Sequence, residues 1–239
     1  MRIIGYLTSG YPSMKGFIEA ASAYITGGCD MLEISLPLVN NREAPYLSDL
    51  MKTAISKYPE YDLHFEGIRT IATAYPHIQI TLLLYEETVK TIGALKIAEF
   101  CKECGIYDIN SADLCDNSLL SVFALYNINI AGLITYTHDE DMLRKAKETS
   151  GFIYCQAFPR EGQVTGLGRD TPEALISYIR SHNIKNPIYC GGGIRIPEDA
   201  LCLKKAGADG FFLGTSLLSI SDTEKIIEVI REFKQAVAD

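Results

Sequence analysis

Short apolar runs alternate with amphipathic stretches along the 239-residue chain. The runs at 3–8, 31–35, 78–84, 106–110, 130–135, 151–155, 187–190 and 210–213 are brief and rich in branched residues, which predicts strands. Between them, apolar positions recur with the helical period and predict helices over 14–26, 47–57, 62–74, 89–104, 117–126, 139–149, 171–181, 197–206 and 223–236. Ser13 precedes the first helix, and Thr171-Pro172 and Ile196-Pro197 open two later ones with proline in the first turn. At 27–30, 102–108 and 204–210 a glycine closes a helix and leads into a buried strand.

Strand–helix alternation repeated through eight strands predicts an α/β fold, a (β/α)8 TIM barrel in a single domain over residues 1–239. The length suits this, because α/β barrels run to roughly 250 residues as one unit. A doubly wound open sheet is the alternative. No linker, low-complexity stretch or charge run marks a boundary.

Composition narrows the function classes. With 47% hydrophobic and 22% charged residues the chain is globular, neither disordered nor a coiled coil. A net charge of −8 disfavours nucleic acid and anionic membrane as partners, since both need clustered positive charge. It leaves room for a small phosphorylated substrate, which backbone amides can hold without lysine. No apolar run is long enough to cross a membrane, and the 1–12 stretch leads straight into strand-like sequence rather than a cleavable leader. Seven cysteines lie scattered through apolar segments, as in a reduced, cytoplasmic protein. Cys101 and Cys104 form a CxxC at a helix end; without a second Cys or His pair, packing is the expected role and no metal is expected. The chain has no tryptophan.

In a barrel the chemistry sits at the C-terminal ends of the strands. This singles out Thr8, Glu33, Tyr85, Asn110 to Asp113, Thr135, Tyr154, Gly191 to Gly193 and Gly214 to Ser216. Glycines after the seventh strand and Gly214-Thr215-Ser216 after the eighth suit a phosphate, because backbone without Cβ atoms can approach an anion closely. Gly166, in the loop after the sixth strand, is a further amide candidate. Glu33 shares one face of its strand with Met31 and Ser35, opposite Leu32, Ile34 and Leu36. That face is the barrel interior, where a carboxylate is either hydrogen-bonded as a structural group or poised for proton transfer. Glu43 lies in the long loop that follows. It is either a second carboxylate that divides acid and base roles with Glu33, or a solvated loop residue. The glycine-rich segment 158–170 is either a lid or an exposed insertion.

The chain resembles the tryptophan synthase alpha subunit family. The resemblance rests on Tyr6-Leu7-Thr8-Ser9-Gly10-Tyr11-Pro12, Leu32-Glu33-Ile34, Ile68-Arg69 with Pro76, Ala112-Asp113, Gly151-Phe152-Ile153-Tyr154, Val164-Thr165-Gly166, Gly191 to Ile194, and Gly207-Ala208-Asp209-Gly210 with Gly214-Thr215. These pieces fall in order over nearly the whole chain. The resemblance implies retro-aldol cleavage of indole-3-glycerol phosphate to indole and glyceraldehyde 3-phosphate, with no cofactor, metal or Schiff base. By the same resemblance Glu33 protonates indole C3, Glu43 stabilises charge at the indole nitrogen, and Tyr154 stands near the catalytic glutamate. Thr165 reaches the second acid when the lid closes, and Gly166, Gly193, Gly214 and Thr215 supply phosphate contacts. Tyr6, Thr8, Tyr85 and Gly192 complete the expected substrate-binding set.

Departures from the family pattern are equally definite. The family's Pro-Phe-Ser-Asp-Pro loop, which meets the beta subunit, is here Pro37-Leu38-Val39-Asn40-Asn41. Gly192 replaces a phenylalanine that packs on indole, and Tyr85-Glu86-Glu87 replaces Tyr-x-Asn, adding negative charge near the mouth. A helix that usually precedes the first strand is missing from the pattern. Two alternatives therefore stand beside the lyase: a paralogue acting on another glycerol-phosphate-like substrate, and a non-catalytic barrel that binds a phosphorylated metabolite.

Overall fold

The computed structural model of the chain describes residues 1–38, 45–111, 113–137, 140–166 and 168–238. In chain order its elements begin β1 (Arg2–Thr8), α1 (Met14–Gly27), β2 (Met31–Ser35), α2 (Pro45–Lys57), α3 (Tyr61–Ala74) and β3 (Gln79–Leu83). There follow α4 (Glu86–Ile92), α5 (Ala94–Cys104), β4 (Asp108–Asn110), α6 (Asn117–Leu125), β5 (Asn129–Ile130), β6 (Gly132–Ile134) and α7 (Glu140–Glu148). The last are β7 (Ile153–Gln156), α8 (Pro172–Ser181), β8 (Ile188–Gly191), α9 (Pro197–Lys205), β9 (Gly210–Leu213), α10 (Thr215–Leu218) and α11 (Thr223–Ala236).

The strands form one sheet in the order β5-β4-β3-β2-β1-β9-β8-β7-β6. Its two ends, β5 and β6, are separated only by Ala131, so they are two pieces of one interrupted strand. Counted that way there are eight strand positions in sequence order, the topology of a (β/α)8 TIM barrel. The order never reverses as a doubly wound open sheet requires, which removes that alternative.

Two compact units can be described. The first comprises Met1–Gly5, Gly27–Cys29 and Ile130–Asp239; the second comprises Tyr6–Thr26 and Asp30–Asn129. In the first unit, β1 pairs in parallel with β9 from Arg2↔Gly210 to Gly5↔Leu213, and β7 pairs with β8 from Ile153↔Ile188 to Gln156↔Gly191. Helix starts are locally encoded there. The Thr171 hydroxyl accepts the Ala174 N–H ahead of Pro172, and the Asp199 carboxylate accepts the N–H groups of Arg195 and Ile196 around Pro197.

In the second unit, β2, β3 and β4 run parallel with register Leu32↔Ile80, Glu33↔Thr81, Ile34↔Leu82 and Ser35↔Leu83, continued by Thr81↔Asp108, Leu82↔Ile109 and Leu83↔Asn110. Register neighbours in a parallel sheet point to the same side. One face therefore carries Leu32, Ile34, Ile80, Leu82 and Ile109, and the other carries Glu33, Ser35, Gln79, Thr81, Asp108 and Asn110 with Met31 and Leu83. The alternation predicted around Glu33 is thus real and extends over three strands.

The single helix expected over 89–104 is two. Gly93 has φ +96 and ψ 125, serving as C-cap of α4 and N-cap of α5. That conformation is open to glycine and strained for other residues, so the helix breaks although the apolar period runs through. The helix α10 is not among the expected elements; its four residues are too few to carry a periodic signal.

Candidate active site

In the second unit, Glu33 is the buried carboxylate the alternation isolates, only 4% exposed. Asn110, at the end of β4 and itself buried, donates from Nδ2 to Glu33 Oε1 at 2.7 Å. A carboxylate removed from water is costly without such a donor, and a charge-assisted hydrogen bond is worth about 1.5–3 kcal/mol. Below this pair the same face carries further polar groups beside Met31. The Thr81 hydroxyl donates to the Asp108 carbonyl at 2.9 Å, and the Asp108 carboxylate accepts from Gln79 and Asn129, each at 3.1 Å. Burial nevertheless raises the Asp108 pKa, against the two donors that lower it.

Tyr6 and Thr8, expected at the substrate, both lie buried on β1. The Tyr6 hydroxyl is 2.9 Å from Ser35 Oγ and 3.2 Å from Thr8 Oγ1. Tyr85 caps α4 and packs with Leu38 and Met51 in an apolar cluster. Glu43, Asn40 and Asn41 fall outside the described residues, as does Ala112.

The acidic pair after β3 has a more specific use than negative charge at a mouth. The Glu86 carboxylate binds Lys90 at 2.6 Å and accepts the N–H groups of Cys115 at 2.9 Å and Asp116 at 3.1 Å. Those contacts, with Lys90 the largest, draw its pKa down to about 2. Glu86 therefore fastens the start of α4 to the loop before α6, and Asp113 returns the tie by accepting the Glu86 N–H at 3.1 Å.

Two buried groups are not evident from sequence spacing. His64 on α3 places Nε2 2.9 Å from the Tyr58 carbonyl and Nδ1 3.0 Å from Ser9 Oγ. A carbonyl only accepts, so Nε2 carries the proton and Nδ1 accepts from the serine. Burial lowers the His64 pKa, keeping the ring neutral. The second is Asn110, which the sequence marks only as a strand-end residue. The polar alternation of Asp108 and Asn110 about Ile109 is the signal that could pair it with Glu33.

In the first unit, Tyr154 sits on β7 with its ring 5.0 Å from that of Phe212, and it lies directly against Gly191. The next two residues, Gly192 and Gly193, are exposed and both have left-handed backbone, φ +84 and +86. Two successive residues of this kind make a tight turn of backbone that bears no side chain. Gly214 caps α10 and its carbonyl accepts the Leu217 N–H at 2.9 Å, leaving Thr215 exposed in the first turn.

Thr165 and Gly166 are half-exposed. The Gly166 N–H donates to the Tyr136 carbonyl at 3.1 Å, so this amide is engaged within the protein. Its Cα faces the Arg169 guanidinium, whose Cζ stands 4.4 Å from the Tyr178 ring centroid. The loop at 158–170 begins under a mutual amide pair. Gln156 Nε2 donates to Gln163 Oε1 at 2.7 Å, Gln163 Nε2 donates back at 3.1 Å, and Arg160 N–H also reaches Gln163.

Of the CxxC residues Cys101 is buried and Cys104 half-buried, and desolvation pushes their thiols up to about 12 and about 11. Among the described residues no helix is long and apolar enough to cross a membrane.

Comparison with known proteins places this arrangement. A chain from Aquifex aeolicus superposes over 100% of this chain and 93% of its own, with TM-score 0.86 at 20% identity, so the fold is shared. The tryptophan synthase complex of Pyrococcus furiosus superposes over 98% of each chain with TM-score 0.82 at 18% identity. In sequence, the tryptophan synthase alpha chain of Methanoregula boonei is 28% identical over 225 residues, covering 91% of this chain and 83% of the relative. The family profile described as tryptophan synthase alpha chain matches residues 1–238. With that match running through both the Glu33 strand and the glycine turns after β8 and β9, the chain belongs to the tryptophan synthase alpha chain family.

Proposed function

We propose that the chain is a carbon–carbon lyase that cleaves indole-3-glycerol phosphate to indole and glyceraldehyde 3-phosphate, using carboxylate acid–base catalysis and no cofactor. The observation that carries this reading is Glu33, a carboxylate buried on the polar face of β2 and held by Asn110. Structural carboxylates in cores are rare, and one fixed by a neutral amide keeps the capacity to exchange a proton.

In this reading Glu33 delivers a proton to indole C3. The Glu33 carboxylate so formed takes the proton of the adjacent glycerol hydroxyl, and the carbon–carbon bond breaks with its electron pair returning to the ring as the aldehyde forms. By the family pattern Glu43 balances charge at the indole nitrogen, and Thr165 and Tyr154 belong to the substrate-binding set. Gly193 and Gly214 with Thr215 receive the phosphate, the first through left-handed backbone and the second at the start of α10. Gly166 takes a supporting part, since its own amide is bound to Tyr136. The bare Gly192 leaves open space where the family pattern has an aromatic ring. A beta subunit is the proposed partner, with the 37–41 loop adjusted to it, and the work is cytoplasmic.

An indole-release assay tests the reading. The wild-type chain should release indole from indole-3-glycerol phosphate, alone or with a beta subunit, and Glu33→Gln should abolish release while leaving thermal stability nearly unchanged. Undiminished turnover in Glu33→Gln, or none in the wild type at saturating substrate, overturns it.

A further inference from the structure

We infer that Asn110 is a positioning residue for the lyase reaction: its side-chain amide fixes Glu33 Oε1, so that the proton delivered to substrate travels on Oε2. The inference rests on the lyase reading proposed above and adds a residue to it.

The geometry carries the argument. In the β2–β3–β4 register Glu33 stands level with Thr81 and Asp108, while Asn110 lies two residues further along β4 on the same face. Asn110 thus reaches back across β3 from the C-terminal side, the side from which substrate arrives in this fold. The group between them, the Thr81 hydroxyl, is turned to the Asp108 carbonyl at 2.9 Å. The resulting Nδ2···Oε1 distance of 2.7 Å lies at the short end of the ordinary N–H···O range.

Chemistry then distinguishes the two carboxylate oxygens. The unprotonated oxygen of a carboxyl group is the better acceptor of an amide N–H, so that bond favours the mobile proton on the partner oxygen. A glutamate side chain has three rotatable bonds, and anchoring one oxygen removes most of that freedom before substrate arrives. A leucine of similar volume would fill the space and leave Glu33 without this donor.

The test compares Asn110→Leu, Asn110→Gln and Glu33→Gln in the full chain by steady-state indole release and thermal melting. Asn110→Leu is expected to lower kcat by about tenfold or more while KM stays within about threefold, the pattern of a lost transition-state alignment. Asn110→Gln, which restores an amide donor, should regain part of kcat. If Asn110→Leu does not fold, Asn110→Ala replaces it with the same expectations. Wild-type kcat in the folded leucine or alanine variant, beside an inactive Glu33→Gln, overturns this inference alone. A rise in KM with kcat unchanged also overturns it, by making Asn110 a binding residue. An active Glu33→Gln overturns the lyase reading and this inference together.

Discussion

The Tyr154 ring occupies the space in which a Gly191 side chain would stand: a Cβ built there lies 2.5 Å from Tyr154 Cζ. Tyr154 is level with Tyr189, two register rows before Gly191 and on the same face, so the ring leans across the strand boundary onto bare backbone. Gly191 is therefore a steric requirement of Tyr154. Gly191→Ala should force the ring away from its packing on Phe212, at about 1–3 kcal/mol for an overfilled site. Thermal stability and kcat should both fall, and Tyr154→Ala should relieve the stability loss when combined with it. An unchanged melting temperature in the single variant would show that the ring has an alternative seat.

His64 gives the fold a pH dependence with a definite sign. Its folded pKa lies below the ordinary 6.5 because burial disfavours the imidazolium. The unfolded chain binds the proton first, so the contribution is complete above about pH 6.5 and is lost as pH falls through the lowered folded value. Melting temperature should drop between pH 8 and pH 5, and His64→Gln should show a shallower drop over the same interval. Identical slopes for the two proteins would mean that His64 does not titrate on unfolding.

The junction between α4 and α5 supplies a control remote from any proposed chemistry. Gly93 has φ +96, and among the described residues a Cβ at this position would meet no atom within 4 Å. Any loss in Gly93→Ala is consequently conformational, about 1–3 kcal/mol by the usual cost of such backbone strain. Calorimetry should record that loss, with kcat and KM unchanged well below the melting temperature. A wild-type melting temperature would require the two helices to rejoin with different backbone angles.

Strand positions, helix caps and the polar face of β2 are legible in the sequence because each depends on neighbours one to four residues apart. Thr171-Pro172 announces α8, and the alternation through Glu33 announces which side it faces. The break at Gly93 is not legible, since an apolar period continues through it and glycine is tolerated inside helices at modest cost. Pairings between distant segments are equally hidden. Nothing local ties Asn110 to Glu33, Ser9 to His64, or Glu86 to the amides of Cys115 and Asp116. Those contacts are set by strand register and loop packing, which sequence spacing does not encode.

Gly193 separates substrate binding from chemistry within the proposed reaction. Its left-handed φ of +86 presents backbone rather than side chain, and among the described residues a Cβ there would meet only Phe158, at 3.8 Å. Gly193→Ala is thus limited by conformation, at about 1–2 kcal/mol per left-handed residue, and should turn the local amide away from an incoming phosphate. One amide-to-anion hydrogen bond is worth about 1.5–3 kcal/mol, which corresponds to roughly a tenfold to hundredfold rise in KM. The kcat at saturating substrate should change much less, the reverse of the pattern expected for Glu33→Gln. Inorganic phosphate should compete with substrate in the wild type and lose that competition in the variant. A Gly193→Ala protein with unchanged KM and undiminished inhibition by phosphate would remove this turn from the phosphate site.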